Sequence, residues 1–322
     1  MKKMLWTVFI ALFLLIVVDI AGAIYLIDFA LTPQRMAATD RLAQYCNSNP
    51  NLRPWIDSAK ATGAWHDTTV TINGHKMHAA YITATIPTNR VAMLVHGYKG
   101  DGITMLNVGA IYSRKMGYNI IFPDLYAHGE SEGEHIQMGW KDRLDMLRWM
   151  DIANNIFKGD SAETQMVVHG MSMGAATTMA VAGEPQKPYV KCFIEDCGYT
   201  SVYDEFSHEL SDTTLLHIHF AIPEWPLLPT ASVICKLRMG WDFKEASMLD
   251  AVKRCTLPML FIHGDQDDFV PSWMVKPLYA AKPAPKEIYM GKGSAHAQTV
   301  IDHEAEYTAR VQAFVSKYIK ND

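Results

Sequence analysis

The chain has 322 residues, of which 49% are hydrophobic and 20% charged, the balance of an ordinary folded protein. That composition excludes disorder, collagen-like repeats and a multi-span membrane protein, and the formal charge of −5 argues against a nucleic-acid partner. Five cysteines with no Cys-x-x-Cys pair give neither a disulfide framework nor a zinc-site spacing, so they read as buried thiols.

Lys2 and Lys3 precede an uncharged apolar run from Met4 to Val18; Asp19 interrupts it, and apolar residues resume from Ile20 to Ile27. The first run alone is short of the roughly 20 residues a membrane span requires, but counting on to Ile27 reaches that length. Residues 1–30 are therefore expected to be a membrane anchor. The lysines before it keep the N-terminus in the cytoplasm and put the rest of the chain outside, as a single-pass protein of the cell membrane. The rival reading is a cleaved signal peptide, with Ala21-Gly22-Ala23 as the small-residue cleavage site. Residues 31–65, punctuated by Pro33, Pro50 and Pro54, read as a linker with one or two short helices.

From Asp67 the pattern turns to β. Thr68 to Ile72 is β-rich, Asn73-Gly74 is a hairpin signal, and Lys76 to Thr85 gives an antiparallel return strand. Short apolar runs then follow at Val91–Val95, Asn119–Phe122, Gln165–Val168, Val190–Ile194, Met259–Ile262 and Glu287–Tyr289. Helical stretches lie near 103–116, 140–156, 173–183, 272–281 and 303–319. In the last, Tyr307, Val311, Phe314, Val315 and Tyr318 recur at helical spacing. This alternation predicts an α/β fold with a parallel sheet covered on both faces, in a domain over residues 66–322.

Residues 199–250 are too long for a simple crossover and rich in apolar and aromatic side chains. They read as a mostly helical insertion, a cap that helps build an apolar pocket. Phe206, Leu216, Phe220, Trp225 and Trp241, together with Tyr98, are the expected substrate contacts. The bland alternative is a decorative surface insertion.

Gly170-Met171-Ser172-Met173-Gly174 lies between a predicted strand and a predicted helix, the context of a nucleophile elbow. A serine in so tight a turn needs small neighbours, and the helix behind it aims N–H groups and a positive dipole end at the site. The strand Val91–Val95 runs into His96-Gly97-Tyr98, so the backbone N–H groups of Tyr98 and Met173 are the expected oxyanion donors. His96, at the head of that turn, reads as structural.

A serine hydroxyl requires a base, and the base an orienting carboxylate, in the chain order Ser, Asp or Glu, His. His263-Gly264-Asp265-Gln266-Asp267-Asp268-Phe269-Val270-Pro271 offers three aspartates. Asp267, three residues before Val270-Pro271, is chosen, with Asp265 and Asp268 as alternatives that would cap the turn or the next helix. Of 13 histidines, His296 sits in a small-residue loop between the last strand and the last helix, and is the expected base; His303 is the runner-up. None of His128, His208, His217 and His219 has His-Glu-x-x-His spacing, so no metal is assigned.

Together these residues resemble the α/β-hydrolase superfamily over roughly 65–320. Within it the chain is similar to the Bem46-like serine hydrolases that occur as membrane-anchored bacterial proteins. The matching residues are His96-Gly97-Tyr98, Pro123-Asp124 with His128-Gly129-Glu130-Ser131, Gly139-Trp140, Gly170 to Gly174, His263 to Pro271, and His296. The resemblance implies an eight-stranded, mostly parallel sheet, a helical cap between strands six and seven, and no cofactor. It also implies Ser172 as nucleophile, Asp267 as acid, His296 as base, and Tyr98 and Met173 as the oxyanion hole. Glu195-Asp196-Cys197-Gly198 departs from the pattern with a thiol that receives no role.

The expected activity is a serine hydrolase, carboxylesterase-like, cleaving small-molecule esters with a hydrophobic acyl or aryl part through an acyl-enzyme. The alternatives are a peptidase or amidase with the same triad, and a non-catalytic membrane-surface binding protein.

Overall fold

The computed structural model describes residues 1–34, 38–161, 163–211 and 223–320. Helix α1 (Lys2–Leu31) is followed by α2 (Ala38–Ser48) and α3 (Arg53–Ala61). Strands β1 (Trp65–Ile72) and β2 (His75–Ile82) form a hairpin around Asn73-Gly74, both with positive φ, as the tight primed turn requires. Then come β3 (Arg90–Val95), α4 (Leu106–Ala110), β4 (Asn119–Pro123), α5 (Asp142–Phe157), β5 (Gln165–Met171), α6 (Met173–Ala182) and β6 (Val190–Asp196). After α7 (Val202–Ser211) and α8 (Glu224–Met239) the alternation resumes with α9 (Met248–Arg254), β7 (Met259–Gly264), α10 (Val275–Ala281), β8 (Lys286–Gly291), α11 (Thr299–Asp302) and α12 (Glu304–Tyr318).

The strands form one eight-stranded sheet in the order β1-β2-β4-β3-β5-β6-β7-β8. β2 is antiparallel to both β1 and β4, and every pairing among β3 to β8 is parallel. This is the mixed, mostly parallel sheet of the α/β-hydrolase core. The central strands are buried on both faces, which is why they read as short continuous apolar runs rather than as alternating ones. On one face Ala92, Leu94, Ile120, Val167, Ile194 and Leu260 meet Tyr307, Val311 and Phe314 of α12 in a single core. On the other lies α6, all of whose residues are buried, packed between the sheet and helices α5 and α9.

Two details differ from the sequence expectation. The return strand ends at Ile82 rather than Thr85. The stretch near 103–116 is a 3₁₀ turn (Gly102–Met105), then α4, then a π turn (Ile111–Lys115). Residues 105, 106 and 108–112 are all buried, so packing on every side, rather than one apolar stripe, sets the backbone there.

The chain divides into two compact units, Pro33–Thr200 with Met248–Asp322, and Met1–Thr32 with Ser201–Ser247. The first holds the sheet. In the second, α1 and α7 each pack against α8, and Phe206 and Trp241 lie 4.9 and 5.9 Å from Phe243, ring centre to ring centre. Helix α1 is long and apolar enough to cross a membrane.

Candidate active site

Parallel strands place the loops after β5, β7 and β8 at one edge of the sheet, since Met171 pairs with Asp196 and Gly264 with Gly291 at their carboxyl ends. Ser172, Asp267 and His296 stand in those loops.

Ser172 bridges β5 and α6 with φ 58° and ψ −122°, a strained conformation for a residue with a side chain. Its neighbours explain why the turn is possible. A Cβ on Gly170 would lie 2.0 Å from the Gly174 carbonyl oxygen, and one on Gly174 would lie 2.0 Å from that of Val95. Both positions demand glycine, because the elbow is pressed against β3 and against its own helix. The Ser172 N–H donates to the Asp196 carbonyl at 2.8 Å, which fixes the turn to β6.

Ser172 Oγ is 2.8 Å from His296 Nε2, and His296 Nδ1 is 2.8 Å from Asp267 Oδ2. Asp267 Oδ1 accepts the backbone N–H groups of Val270 at 2.9 Å and Phe269 at 3.2 Å. Its Oδ2 also faces His263 Nε2 at 3.3 Å, a nitrogen that lies 2.9 Å from the Val270 carbonyl. Burial alone would raise the Asp267 carboxyl; hydrogen bonds from the two histidines, with their charge, outweigh it and hold it below its ordinary value. With Asp267 ionised, His296 carries its proton on Nδ1 and presents a bare Nε2 to the serine.

Asp267 is buried and reaches His296, while Asp265 accepts the Gly293 N–H at 2.6 Å and Asp268 is exposed. His303 precedes α12 and lies 2.8 Å from the Lys292 carbonyl. His96 uses both ring nitrogens on backbone, donating to Gly97 O at 2.8 Å and accepting from Leu125 N at 3.0 Å. It ties the loop after β3 to the loop after β4. Gly97 lies against the serine, its would-be Cβ 3.2 Å from Ser172 Cβ; Tyr98 follows it, and Met173 opens α6. Phe206, Trp225 and Trp241 belong to the second unit. Leu216 and Phe220, with His217 and His219, lie outside the described residues.

Sequence reasoning missed two neighbours. One is His263, the second histidine on Asp267; its place at the head of the aspartate motif was the available signal. The other is Cys197, fully buried, with φ 54°. Its sulfur belongs to a group with Asp267 and His296 whose polar atoms lie within 4.8 Å of one another. Burial, then the neighbouring Asp196 and Asp267 carboxylates, push this thiol up, so it stands there as a neutral thiol. Softness suits it to zinc, but Asp267 Oδ2 and His296 Nδ1 already share a hydrogen bond.

Beneath the site runs a buried polar line. Tyr307 Oη donates to Asp196 Oδ2 at 2.8 Å and lies 3.0 Å from His169 Nε2, and His169 Nδ1 lies 3.0 Å from Tyr112 Oη. Burial pushes His169 down to about 3, so the imidazole is neutral and passes one donor along the line. Beside it burial pushes Glu195 up to about 8, against the charge of His263. Because the folded form holds the Glu195 proton between its ordinary value and about 8, stability is present below that window and is lost as pH rises through it. The loss has an upper limit of about 5 kcal/mol. Asp142, pushed to about 8, and Asp196, pushed to about 6, act in the same direction. Glu195→Gln keeps an acceptor for the Gly198 N–H (3.0 Å) and is expected to reduce the fall in urea midpoint between pH 5 and pH 9. An unchanged fall would show that Glu195 does not hold that proton.

Residues 111–322 match the prolyl oligopeptidase family. The chain is 27% identical over 235 residues to the uncharacterized protein YqkD of Bacillus subtilis, covering 73% of this chain and 74% of that protein. A structure of the Pyrococcus furiosus esterase Pf2001 superposes with a TM-score of 0.62 at 20% identity, over 79% of this chain and 92% of that one. Est1E from Butyrivibrio proteoclasticus, bound to ferulic acid, gives 0.56 at 19%, over 78% and 98%. The acylaminoacyl peptidase of Pyrococcus horikoshii gives 0.56 at 16%, over 80% of this chain but 43% of its own. Since the family match runs through the serine elbow, the aspartate loop and the histidine loop alike, the chain belongs to the prolyl oligopeptidase family, on the α/β-hydrolase fold of esterases and peptidases.

Proposed function

We propose that the protein is a serine hydrolase that cleaves carboxylic esters. The observation that carries this reading is the unbroken hydrogen-bonded line from Ser172 Oγ through His296 to Asp267. His296 Nε2 takes the hydroxyl proton as Oγ attacks the ester carbonyl, and the developing imidazolium is held by the Asp267 carboxylate. The oxyanion is received by the N–H groups of Tyr98 and Met173, each worth roughly 3 kcal/mol of barrier. His296 then returns its proton to the departing alcohol, leaving an acyl group on Ser172, and activates the water that releases it.

The test is fluorophosphonate labelling of the full chain, followed by mapping of the modified peptide. The expected result is a single adduct on Ser172. A folded sample that stays unlabelled would favour the binding-module reading.

The family match favours a second reading, cleavage of peptide or amide bonds by the same three residues. Turnover of an N-acyl amino-acid amide exceeding that of the matched ester would establish it in place of the first.

Residues 1–30 are proposed to anchor the protein, with Lys2 and Lys3 on the cytoplasmic side and the sheet-bearing unit outside. Support comes from the unbroken 30-residue helix, whose Met4–Val18 stretch is exposed along its whole length. Within the superfamily, the proposed resemblance to the Bem46-like serine hydrolases rests on His96-Gly97-Tyr98, Pro123-Asp124 with His128 to Ser131, Gly139-Trp140, Gly170 to Gly174, His263 to Pro271, and His296. A mature N-terminus at Ile24, just after Ala21-Gly22-Ala23, would show a cleaved signal peptide instead of the anchor.

A further inference from the structure

The N-terminal helix is not an independent appendage. From Asp19 onward one face of α1, carrying Asp19, Gly22, Ala23, Leu26, Ile27, Ala30 and Leu31, loses exposure, whereas Met4–Val18 is exposed all round. The partner of that face is α8. Thr230 Oγ1 donates to Asp19 Oδ2 at 2.6 Å, the Asp28 carboxylate pairs with Arg238 at 3.0 Å, and a Cβ on Gly22 would lie 3.2 Å from Leu227 Cδ1. The two polar contacts are nine residues apart on α1 and eight on α8, so the helices run side by side in the same direction.

That register has a consequence for the start of α8. Trp225 itself is not helical (φ −98°, ψ 133°), and Leu227, two residues after it, stands against Gly22, four residues past the end of the exposed apolar shaft of α1 at Val18. The shaft Met4–Val18 is itself only about 22 Å long, short of the roughly 30 Å hydrocarbon layer. The remainder must be met by residues beyond Val18 and by whatever stands beside them. What stands beside them is the exposed opening of α8, Pro223 to Pro226, with Trp225 at 78% exposure. Glu224, the charged member of this stretch, has its oxygens on Tyr203 Oη at 2.7 Å and Ser207 Oγ at 2.8 Å. An indole beside satisfied polar groups is the chemistry of the membrane–water interface.

We infer that the opening turn of α8 is seated in the lipid headgroup layer, with Trp225 as an interfacial anchor, so that the inserted segment touches the bilayer and not only its own helix. The inference rests on the anchor reading above. It gives Trp225 a lipid contact in place of the substrate contact expected from the sequence. The half-buried Asp19 carboxylate is tolerated near the bilayer because the Thr230 hydroxyl donates to it.

Single thiols at three positions test it in the full chain, reconstituted in phosphatidylcholine nanodiscs. The native cysteines are all buried, and the unsubstituted chain serves as the labelling control. Trp225→Cys, Leu237→Cys and Ile10→Cys are labelled with the environment-sensitive fluorophore NBD and quenched by lipid-borne nitroxide or by aqueous iodide. Leu237, 80% exposed, lies near the opposite end of α8 from Trp225. The expected result is lipid quenching at 225 several-fold stronger than at 237 and close to that at 10, with the opposite order for iodide. Iodide quenching at 225 equal to that at 237, with lipid quenching kept at 10, would overturn this inference and leave the anchor standing. Shielding of 225 from both quenchers would mean a protein partner or second copy covers it, which also overturns it. Loss of lipid quenching at 10 would overturn the anchor reading itself.

Discussion

Replacing Ser172 with alanine is expected to lower ester turnover by at least about 10⁴-fold and to abolish fluorophosphonate labelling. The change removes one oxygen from a residue that is 7% exposed. The backbone bonds that hold the elbow, Ser172 N–H to Asp196 O and Ala176 N–H to Ser172 O, are untouched. Folding should therefore survive, and circular dichroism should be unchanged. Loss of turnover in a folded variant is a statement about the nucleophile. Rates on p-nitrophenyl esters within tenfold of the unsubstituted chain would remove Ser172 from the chemistry and leave the Ser172–His296 hydrogen bond as a structural contact.

Asp267→Asn is expected to lower kcat on the order of 10⁴-fold with KM changed much less. The reason lies in how the carboxylate is held. Oδ1 accepts two backbone N–H groups, from Phe269 and Val270, so the amide oxygen of asparagine must occupy that side. Its NH₂ then faces both His296 Nδ1 and His263 Nε2. A donor pointed at His296 Nδ1 forces the proton to Nε2, the tautomer that cannot accept from Ser172. The loss belongs in kcat because the geometry survives while the base does not. A similar loss confined to KM would show that Asp267 shapes binding rather than orienting the base.

The two substitutions differ in what they ask of His263. Ser172→Ala leaves its contact with Asp267 intact, whereas Asp267→Asn sets an amide donor against His263 Nε2. The asparagine variant is therefore expected to be the less stable of the two in urea. Equal midpoints would mean that the His263–Asp267 contact at 3.3 Å contributes little.

Local chemistry made much of this protein legible. The parallel strands announce themselves as short apolar runs because both faces of the sheet are covered. The elbow is legible because its two glycines are sterically compelled: Gly170 and Gly174 each face a carbonyl oxygen at a distance no Cβ tolerates. Asn73-Gly74 is legible because few other pairs accept positive φ twice in succession. The apolar N-terminal helix is legible because no contact is required to specify it, only length and composition.

Other features waited for the tertiary structure, because each depends on residues far apart in the chain. Spacing favours Asp267 over Asp265 and Asp268, but that its carboxylate is the one reaching His296 follows from how the β7 and β8 loops meet. Cys197 comes to Asp267 and His296 from the end of a different strand, β6, which sequence separation hides, whereas His263 reaches Asp267 from four residues away in the same motif. Within the 3₁₀, α and π succession over residues 102–115, residues 108–112 are buried one after another, which erases the periodicity that sequence reading needs there. The side-by-side pairing of α1 with α8 joins residues more than 200 positions apart through Asp19 with Thr230 and Asp28 with Arg238. What the sequence determined by itself were the elements and reactive residue types, which follow from local sterics and hydrophobicity. Only the tertiary structure decided which of those residues meet, because long-range packing and the closing of hydrogen bonds select one partner among several of equal local merit.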